Sequence, residues 1–270
     1  MKNYLAFTLL LLLLNSCDDR SAVIPPLRPP ETGARKVVIE EFTGVRCVNC
    51  PDGSAEIENL KALYGDNLIA VSIHAGSFAK PYPNQDEYAI QQGRDILSFL
   101  GDPVGYPAAV VNRKVFPDNG GDIQTGKNQW AGYLSAESQI NPSINVNLSK
   151  VYDAATRKLE VAVSLAPIKD ITGSTALSVM ITENNIVGKQ LTPTGLVDNY
   201  KHKHMLRAML TNYGGDPITE SLTVGQLITK NFVYTLPANF VAENCEIVAF
   251  VSRVGTNKEI LQADEIKLTK

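Results

Sequence analysis

The 270-residue chain lacks the features that would point directly to several classes of function. Its formal net charge is −3, so no excess of basic residues indicates a nucleic-acid partner. It shows no internal repeat, no phosphate-binding loop, and no Ser-His-Asp or paired-carboxylate arrangement that can be placed on it. With 44% hydrophobic and 20% charged residues, the composition is instead that of a globular protein with a buried core.

The N-terminus has the pattern of a bacterial secretion signal. Lys2 supplies a positive start, and the apolar run of residues 5–14 is shorter than the about 20 residues of a transmembrane helix. The LNSC segment that ends at Cys17 resembles a lipobox, in which the cysteine is lipidated and becomes the first mature residue. We therefore predict a lipoprotein signal peptide over residues 1–17 and a lipid on Cys17. The alternative is an ordinary signal peptide cut near residue 16, with the cysteine incidental.

Three segments follow the predicted signal. Residues 18–35 contain prolines and no core-forming pattern, which predicts a stiff, extended tether. Residues 36–140 combine continuous apolar runs with helical spacing, which predicts an α/β domain. Residues 141–270 lose the helical spacing and alternate apolar with polar positions in about seven short stretches, which predicts an all-β immunoglobulin-like sandwich.

The segment Cys47-Val48-Asn49-Cys50 is the clearest indication of chemistry. It follows the apolar run Val37–Phe42, a predicted strand, and it precedes a helical pattern; Leu68–His74 then predicts a second, parallel strand. Two cysteines at this spacing can close a small disulfide ring. A helix N-terminus beside the first cysteine stabilises its thiolate. A strand, a loop, CxxC and a helix in this order are typical of a thioredoxin-like redox site.

A Gly-Tyr-Pro segment that ends at Pro107 leads into a further strand, and with it the first domain resembles the thioredoxin superfamily. The resemblance implies that Cys47 is the nucleophile and that Cys50 resolves the mixed disulfide. It implies that Pro107 is a cis-proline facing the cysteines, where the substrate backbone binds. It also implies that Glu41, six residues before Cys47, is a buried acid that relays a proton to the resolving cysteine.

Two more residues are expected to contact the substrate. Arg46 stands where thioredoxins usually carry an aromatic residue, and its positive charge lowers the pKa of the adjacent Cys47 thiol. Tyr106, which precedes the predicted cis-proline, is expected to touch the incoming chain.

The chain as a whole resembles a narrower family. A lipobox, Glu-Glu-Phe-Thr-Gly before Cys-x-x-Cys-Pro, Asn112-Arg113 after the Gly-Tyr-Pro segment, and the segment Tyr200–Arg207 make it similar to the Omp28-related outer-membrane lipoproteins of Bacteroidetes-type bacteria. The similarity covers residues 36–270. It implies an outer-membrane location, periplasmic or surface-exposed, with anchoring through the lipid on Cys17. Envelope proteins or peptides are the partners it implies, and the oligomeric state is left open.

The CxxC segment leaves three alternatives for its chemistry. In thiol–disulfide exchange, Cys47 attacks and Cys50 releases the product. In a non-enzymatic binding or structural lipoprotein, Cys47–Cys50 is a permanent disulfide. A metal site would need further ligands, and the sequence holds no second CxxC, so no metal and no cofactor are predicted.

The histidines and the last cysteine have competing interpretations. His202 and His204 would share one face of a strand and could supply two metal ligands, or they could start a polar strand or loop. His74 closes the second predicted strand, where it could approach the CxxC segment or simply be a hydrogen-bonded strand-end histidine. Cys245 is expected to be a buried structural thiol.

Overall fold

The computed structural model describes residues 35–269, which are mostly β-sheet with three α-helices. The predicted signal peptide and lipobox over residues 1–17, with Cys17, lie outside the described residues, as does the predicted tether before residue 35. No helix of the described part is long and apolar enough to cross a membrane.

Helices and strands alternate up to residue 140, and strands follow. The first group is β1 (Val37–Thr43), α1 (Cys50–Tyr64), β2 (Leu68–His74), α2 (Gln91–Leu100), β3 (Ala108–Val111), β4 (Thr125–Gly126) and α3 (Lys127–Ser138). The second is β5 (Ile144–Asp153), β6 (Lys158–Pro167), β7 (Thr175–Glu183), β8 (Ile186–Thr192), β9 (Gly195–His202), β10 (Met205–Met209), β11 (Asp216–Ile218), β12 (Ile228–Thr235), β13 (Cys245–Arg253) and β14 (Ile260–Lys267).

Two predicted helices are shorter than their apolar spacing indicates. A helix was expected from Asp86, but α2 begins at Gln91, because the Tyr88 side chain is buried against the later strands and its hydroxyl donates to the Val187 carbonyl oxygen at 3.5 Å. A helix was expected from Asp122, but the chain first forms β4, where the Thr125 hydroxyl donates to the Ala109 carbonyl oxygen at 2.6 Å. Tertiary contacts therefore override the local periodicity at both places.

One nine-stranded sheet contains strands from both groups. Its order is β14-β13-β7-β10-β2-β1-β3-β4, with β11 paired to β7. β1 and β2 are parallel, as predicted, and every residue of both is buried. β10 pairs with β2 through Met205 and Ser72 and so joins the two groups of strands. The division at residues 140 and 141 stays a prediction about domains, but the sheet runs across it.

A second sheet, in the order β12-β6-β5, packs on the part of the large sheet that contains β7 and β13. The alternation predicted in β6 is present, since Leu159, Val161, Val163 and Leu165 are buried and point into this shared core. β8 and β9 form a separate hairpin. The hairpin does not join either sheet and instead reaches the CxxC segment.

A buried ion pair between Arg113 and Glu40 lies at the centre of the large sheet. Arg113, which follows β3, donates two hydrogen bonds of 2.7 Å each to the Glu40 carboxylate of β1, and both side chains are inaccessible to solvent. The Arg113 guanidinium also lies over the Phe250 ring of β13, 4.8 Å from its centroid. The neighbouring Asn112 amide oxygen accepts a hydrogen bond from the Val38 N–H at 2.9 Å. The Asn-Arg pair singled out in the sequence is thus part of the core.

Candidate functional site

The CxxC segment lies at the carboxyl ends of β1 and β2. Thr43, the last residue of β1, is paired with His74, the last residue of β2. The loop that leaves β1 carries Cys47, and Cys50 is the first residue of α1. The two cysteines form a disulfide with their Cα atoms 5.3 Å apart. The disulfide therefore sits at the N-terminus of α1, where unpaired backbone N–H groups favour a thiolate.

The structure places Glu41 and Pro107 beside Gly53 in the first turn of α1. The Tyr106–Pro107 peptide bond is cis. At Gly53 an added Cβ would lie 2.7 Å from the Pro107 Cβ and 2.9 Å from the Glu41 Oε1, so no larger residue fits there without movement. The close approach at Gly53 packs the CxxC helix directly on these two side chains.

Glu41 is fully buried, and its environment favours the neutral acid. The Ser72 hydroxyl donates to Glu41 Oε2 at 3.0 Å, and Oε1 finds no hydrogen-bond partner among residues 35–269. Desolvation raises the pKa of Glu41 from 4.5 to about 8, against the opposing influence of the nearby Ser72 and Ser54 hydroxyls. A carboxyl group with this pKa can both give and take a proton near neutral pH.

Both cysteines are covered by other parts of the chain. Cys47 is 3% exposed and Cys50 is 1% exposed. From β8, the Gln190 side-chain amide donates to the Cys47 carbonyl oxygen at 3.0 Å and to the Gly44 carbonyl oxygen at 3.3 Å. The backbone N–H of the next residue, Leu191, donates to the Val45 carbonyl oxygen at 2.8 Å. The β8–β9 hairpin therefore closes over the disulfide.

The two predicted substrate-contact residues have partners within the chain. The Arg46 guanidinium donates to the carbonyl oxygens of Lys80 and Pro81, both at 2.8 Å, and stacks 4.1 Å from the centroid of the Tyr82 ring. The Tyr106 hydroxyl donates to the Ala75 carbonyl oxygen at 3.4 Å. In this conformation both side chains hold the loop after β2, and both remain partly exposed to solvent.

The three histidines are arranged differently from the predicted strand pair. β9 ends at His202, and His204 lies in the following turn with φ of 52°, so the two do not share a strand face. His204 Nε2 lies 2.9 Å from Glu58 Oε1, and this hydrogen bond lowers the pKa of Glu58 to about 2. His202 instead lies beside His74, with ring centroids 5.3 Å apart. The sequence therefore indicated the approach of His74 to the CxxC segment but missed that of His202.

A cavity of about 270 Å³ adjoins the CxxC helix on the side of the β9–β10 turn. Its walls include Pro51, Ser54, Ile57, Ser72 and Tyr200. Four of these residues, all except Ile57, also line a small internal space beside Cys50. The larger cavity therefore borders the space beside Cys50.

Cys245 is the remaining described cysteine. It is buried and free, and its thiol donates to the Val241 carbonyl oxygen at 3.3 Å. Burial raises the pKa of Cys245 to about 12, so the thiol is unreactive at neutral pH. The prediction of a buried structural thiol is confirmed.

A family model for the outer membrane protein Omp28 matches residues 102–270, more than half of the chain. The chain belongs to the Omp28 family. The predicted resemblance is thereby confirmed, and with it the outer-membrane location, because Omp28 is a family of outer membrane proteins.

Solved structures are similar to this Omp28-family chain in fold. HBP35 of Porphyromonas gingivalis matches with a TM-score of 0.70 and 21% identity, covering 88% of this chain and 76% of that one. Protein AGR_C_4864 from Agrobacterium tumefaciens matches with a TM-score of 0.52 and 15% identity, covering 88% and 96%. A domain of the outer membrane lipoprotein Omp28 from Porphyromonas gingivalis is 22% identical over 47% of this chain and 88% of that one, with a TM-score of 0.32. No curated protein matches the chain.

The match to the Omp28 family covers only part of the candidate site. Pro107, Gln190 and His202 lie within the matched residues 102–270, whereas the two cysteines and Glu41 precede them. The matched residues therefore include the hairpin and the proline but not the disulfide, and the chemistry of the disulfide has to be argued from the geometry of this chain.

Proposed function

We propose that this Omp28-family lipoprotein exchanges disulfides with envelope proteins or peptides through Cys47 and Cys50. The observation that carries the proposal is the buried Glu41 carboxyl, whose pKa is raised to about 8 and which packs on the first turn of the CxxC helix. A disulfide that only ties a strand to a helix has no need of such a group. Every exchange cycle, in contrast, must remove a proton from one thiol and supply one to a leaving thiolate.

The proposal includes the organisation of the chain. Residues 36–140 form a thioredoxin-like domain and residues 141–270 an immunoglobulin-like sandwich, joined to the outer membrane by the tether of residues 18–35 and a lipid on Cys17. The parallel pair β1 and β2, the CxxC helix and the proline-led β3 support the first assignment. The packing of the sheet β12-β6-β5 on β7 and β13 supports the second.

The proposed exchange conserves atoms, electrons and protons without a cofactor. In the reducing direction the Cys47 thiolate attacks one sulfur of a substrate disulfide and releases the other as a thiolate. Glu41, as a carboxylate, takes the proton of Cys50, which then attacks Cys47 and releases the second substrate thiolate. The two substrate thiolates take up the proton held by Glu41 and the proton that Cys47 had released to solvent, so the substrate disulfide is reduced to two thiols and the Cys47–Cys50 dithiol is oxidised to the disulfide. Running the same steps backwards oxidises a substrate dithiol, and Glu41 then returns its proton to Cys50.

Exchange requires the β8–β9 hairpin to move, because Cys47 is 3% exposed in the closed arrangement. Three hydrogen bonds hold the hairpin to the CxxC loop, two from the Gln190 amide and one from the Leu191 N–H. Each such bond contributes about 1 kcal/mol. Local opening is therefore far less costly than unfolding of the whole protein.

The burial of the pair also supports a second function, that of a non-enzymatic binding or structural lipoprotein. In this alternative Cys47–Cys50 is a permanent disulfide, and Cys50 at 1% exposure is never attacked. The hairpin is then a fixed part of the fold and no thiol chemistry occurs.

The reduction potential of Cys47–Cys50 separates the two functions. The protein of residues 18–270 is equilibrated with glutathione or dithiothreitol mixtures, and alkylated thiols are counted. Exchange predicts a potential between about −120 and −270 mV, whereas a structural disulfide predicts one below about −300 mV.

In a second experiment, Cys50→Ser should trap an envelope protein on Cys47 as a mixed disulfide. Cys47→Ser/Cys50→Ser, which keeps the buried Cys245, is the matched control and should trap nothing. A Cys50→Ser protein with no trapped species contradicts exchange.

A further inference from the structure

The β8–β9 hairpin contacts the rest of the chain through a histidine of its own. His202, the last residue of β9, lies against His74, the last residue of β2, with ring centroids 5.3 Å apart. Tyr88 packs edge-on against both rings, with centroids 5.5 Å from His74 and 5.2 Å from His202. The hairpin therefore meets the end of the parallel strand pair through two imidazoles in contact.

Both imidazoles are shut off from solvent. His74 is 4% exposed and His202 is 5% exposed. Nδ1 and Nε2 of His74 and Nε2 of His202 have no hydrogen-bond partner within residues 35–269. Buried polar atoms without a partner are rare, and a functional role is one explanation for them. Closure of the hairpin thus removes these nitrogens from water without replacing the hydrogen bonds that water would make.

The groups that touch the two rings are neutral or positive. Tyr88 and Tyr200 contact His202, and burial raises the pKa of both phenols, so neither carries a charge. The two histidines and Cys50 line a space of about 10 Å³. Lys203, in the turn after β9, is the only charged side chain among the described residues that line this space. A second cation here would meet a charge of the same sign.

The carboxylates on the neighbouring strand and helix do not offset a positive imidazole. Glu41 of β1 is buried, and its pKa of about 8 keeps it neutral below that pH. Glu58 of α1 is already paired with Lys203 and His204. On Tyr88, an acid and a base act with opposite signs, Asp86 and Arg207. A protonated ring in the closed arrangement is therefore a buried charge without a counter-ion, which is costly.

We propose that protonation of His202 and His74 opens the β8–β9 hairpin, so that the Cys47–Cys50 disulfide becomes accessible in mildly acidic surroundings. Gln190 and His202 line the space beside Cys50 from the hairpin, and His74 lines it from β2. Separation of the hairpin from Cys50 therefore brings water to both rings. Histidine suits such a switch, because its ordinary pKa lies in this pH range.

Burial gives the sign of the pH dependence. It lowers the pKa of His202 from 6.5 to about 4, against an opposing contact with the Lys189 backbone, and that of His74 well below 6.5. The open hairpin therefore binds more protons than the closed one below pH 6.5. The stability that the neutral rings give to the closed form is present above pH 6.5 and is lost as the pH falls towards 4.

The size of the effect follows from the same pKa values. For His202 alone, the ratio of open to closed protein rises roughly 30-fold between pH 8 and pH 5. Opening of this kind needs no turnover of the disulfide, so the switch goes beyond the exchange proposed above.

The rate at which tris(2-carboxyethyl)phosphine reduces the disulfide measures the opening. The oxidised protein of residues 18–270 is mixed with this phosphine at a series of pH values from about 5 to 8, and alkylated thiols are counted over time. The rate for oxidised glutathione at each pH corrects for the reductant. We expect the corrected rate of the wild type to rise roughly 30-fold from pH 8 to pH 5.

Histidine variants locate the switch. His202→Gln stays neutral at every pH, so its corrected rate should rise at least about tenfold less than that of the wild type. His204→Gln is the matched control, because His204 pairs with Glu58 and does not line the space beside Cys50; it should keep the pH profile of the wild type. Circular dichroism at each pH checks folding. His74→Gln, for which we expect the same loss, replaces a His202 variant that fails to fold.

The urea dependence of the rate at pH 5 distinguishes hairpin opening from unfolding of the whole protein. A local opening exposes little surface, so urea should accelerate reduction far less than it shifts global unfolding. Three outcomes overturn the switch: a corrected wild-type rate that does not rise towards pH 5, histidine variants that rise as the wild type does, and a rise with the full urea dependence of global unfolding. The reduction potential and the trapping by Cys50→Ser still test exchange separately.

Discussion

The Glu41 carboxyl couples the stability of the protein to pH. Because burial raises its pKa from 4.5 to about 8, the folded state keeps a proton that the unfolded state loses above pH 4.5. The stability that this group contributes is fully present below pH 4.5 and is lost as the pH rises towards 8. Glu41→Gln stays neutral at every pH, so we predict a smaller decrease of the unfolding free energy between about pH 5 and pH 8. The difference is several kcal/mol, at about 1.4 kcal/mol per pKa unit.

Urea unfolding at a series of pH values measures this effect. Asp66→Asn, which removes an exposed carboxylate after α1, is the matched control and should keep the slope of the wild type. Wild-type and Glu41→Gln proteins with the same pH dependence would show that Glu41 is not the neutral acid described above.

At the scale of single residues, the sequence predicted those parts of the site that lie close together in the chain. Cys47, Cys50 and Glu41 follow from one strand, one loop and the start of one helix. Gln190 and His202 could not be predicted, because they lie more than 100 residues away and reach the disulfide only through the tertiary fold. The pairing of His74 with His202 is of the same kind, since nothing in the local pattern of either residue refers to the other.

Among the elements, the β8–β9 hairpin has the largest effect on the chemistry. The Gln190 amide donates to the carbonyl oxygens of Gly44 and Cys47, so Gln190→Ala removes two of the contacts that hold the hairpin closed. With about 1 kcal/mol per hydrogen bond, we predict that dithiothreitol reduces the disulfide of this variant roughly tenfold faster or more. The appearance of alkylatable thiols under native conditions gives the rate.

Thr194→Ala, at the turn between β8 and β9, provides the control for the hairpin. Within residues 35–269 the Thr194 hydroxyl bonds to the Thr192 hydroxyl alone, inside that turn, so the reduction rate should equal that of the wild type. If Gln190→Ala and Thr194→Ala were reduced equally fast, the disulfide would open through global unfolding and not through the hairpin.

Most elements could be predicted, and the exceptions have a common cause. β1, α1 and β2 appear with nearly the predicted bounds, because each has strong periodicity and clear ends. α2 and α3 begin later than predicted, since Tyr88 and Thr125 make contacts outside their own segments. The hairpin was not predicted as a cover for the disulfide, because its sequence carries no pattern that distinguishes it from a strand pair of the sandwich.

At the scale of the whole molecule, residues 36–140 and 141–270 share one sheet and one core. β2 pairs with β10, and Val71 and Ile73 of β2 pack in one cluster with Val248 and Phe250 of β13. A cut between the two segments would expose this apolar surface on both sides.

We therefore predict one cooperative unfolding transition for the protein of residues 18–270. In differential scanning calorimetry of the oxidised protein, the calorimetric and van't Hoff enthalpies should agree, as they do when no intermediate is populated. A fragment of residues 35–140, measured alongside, should show no cooperative transition, because β2 loses β10 and the buried Arg113 loses the Phe250 ring that covers it. Two resolved transitions, together with a cooperative transition of the fragment, would mean that the segments fold independently. The shared sheet would then be only an interface between two independently folded domains. Movement of the hairpin would involve the second domain alone.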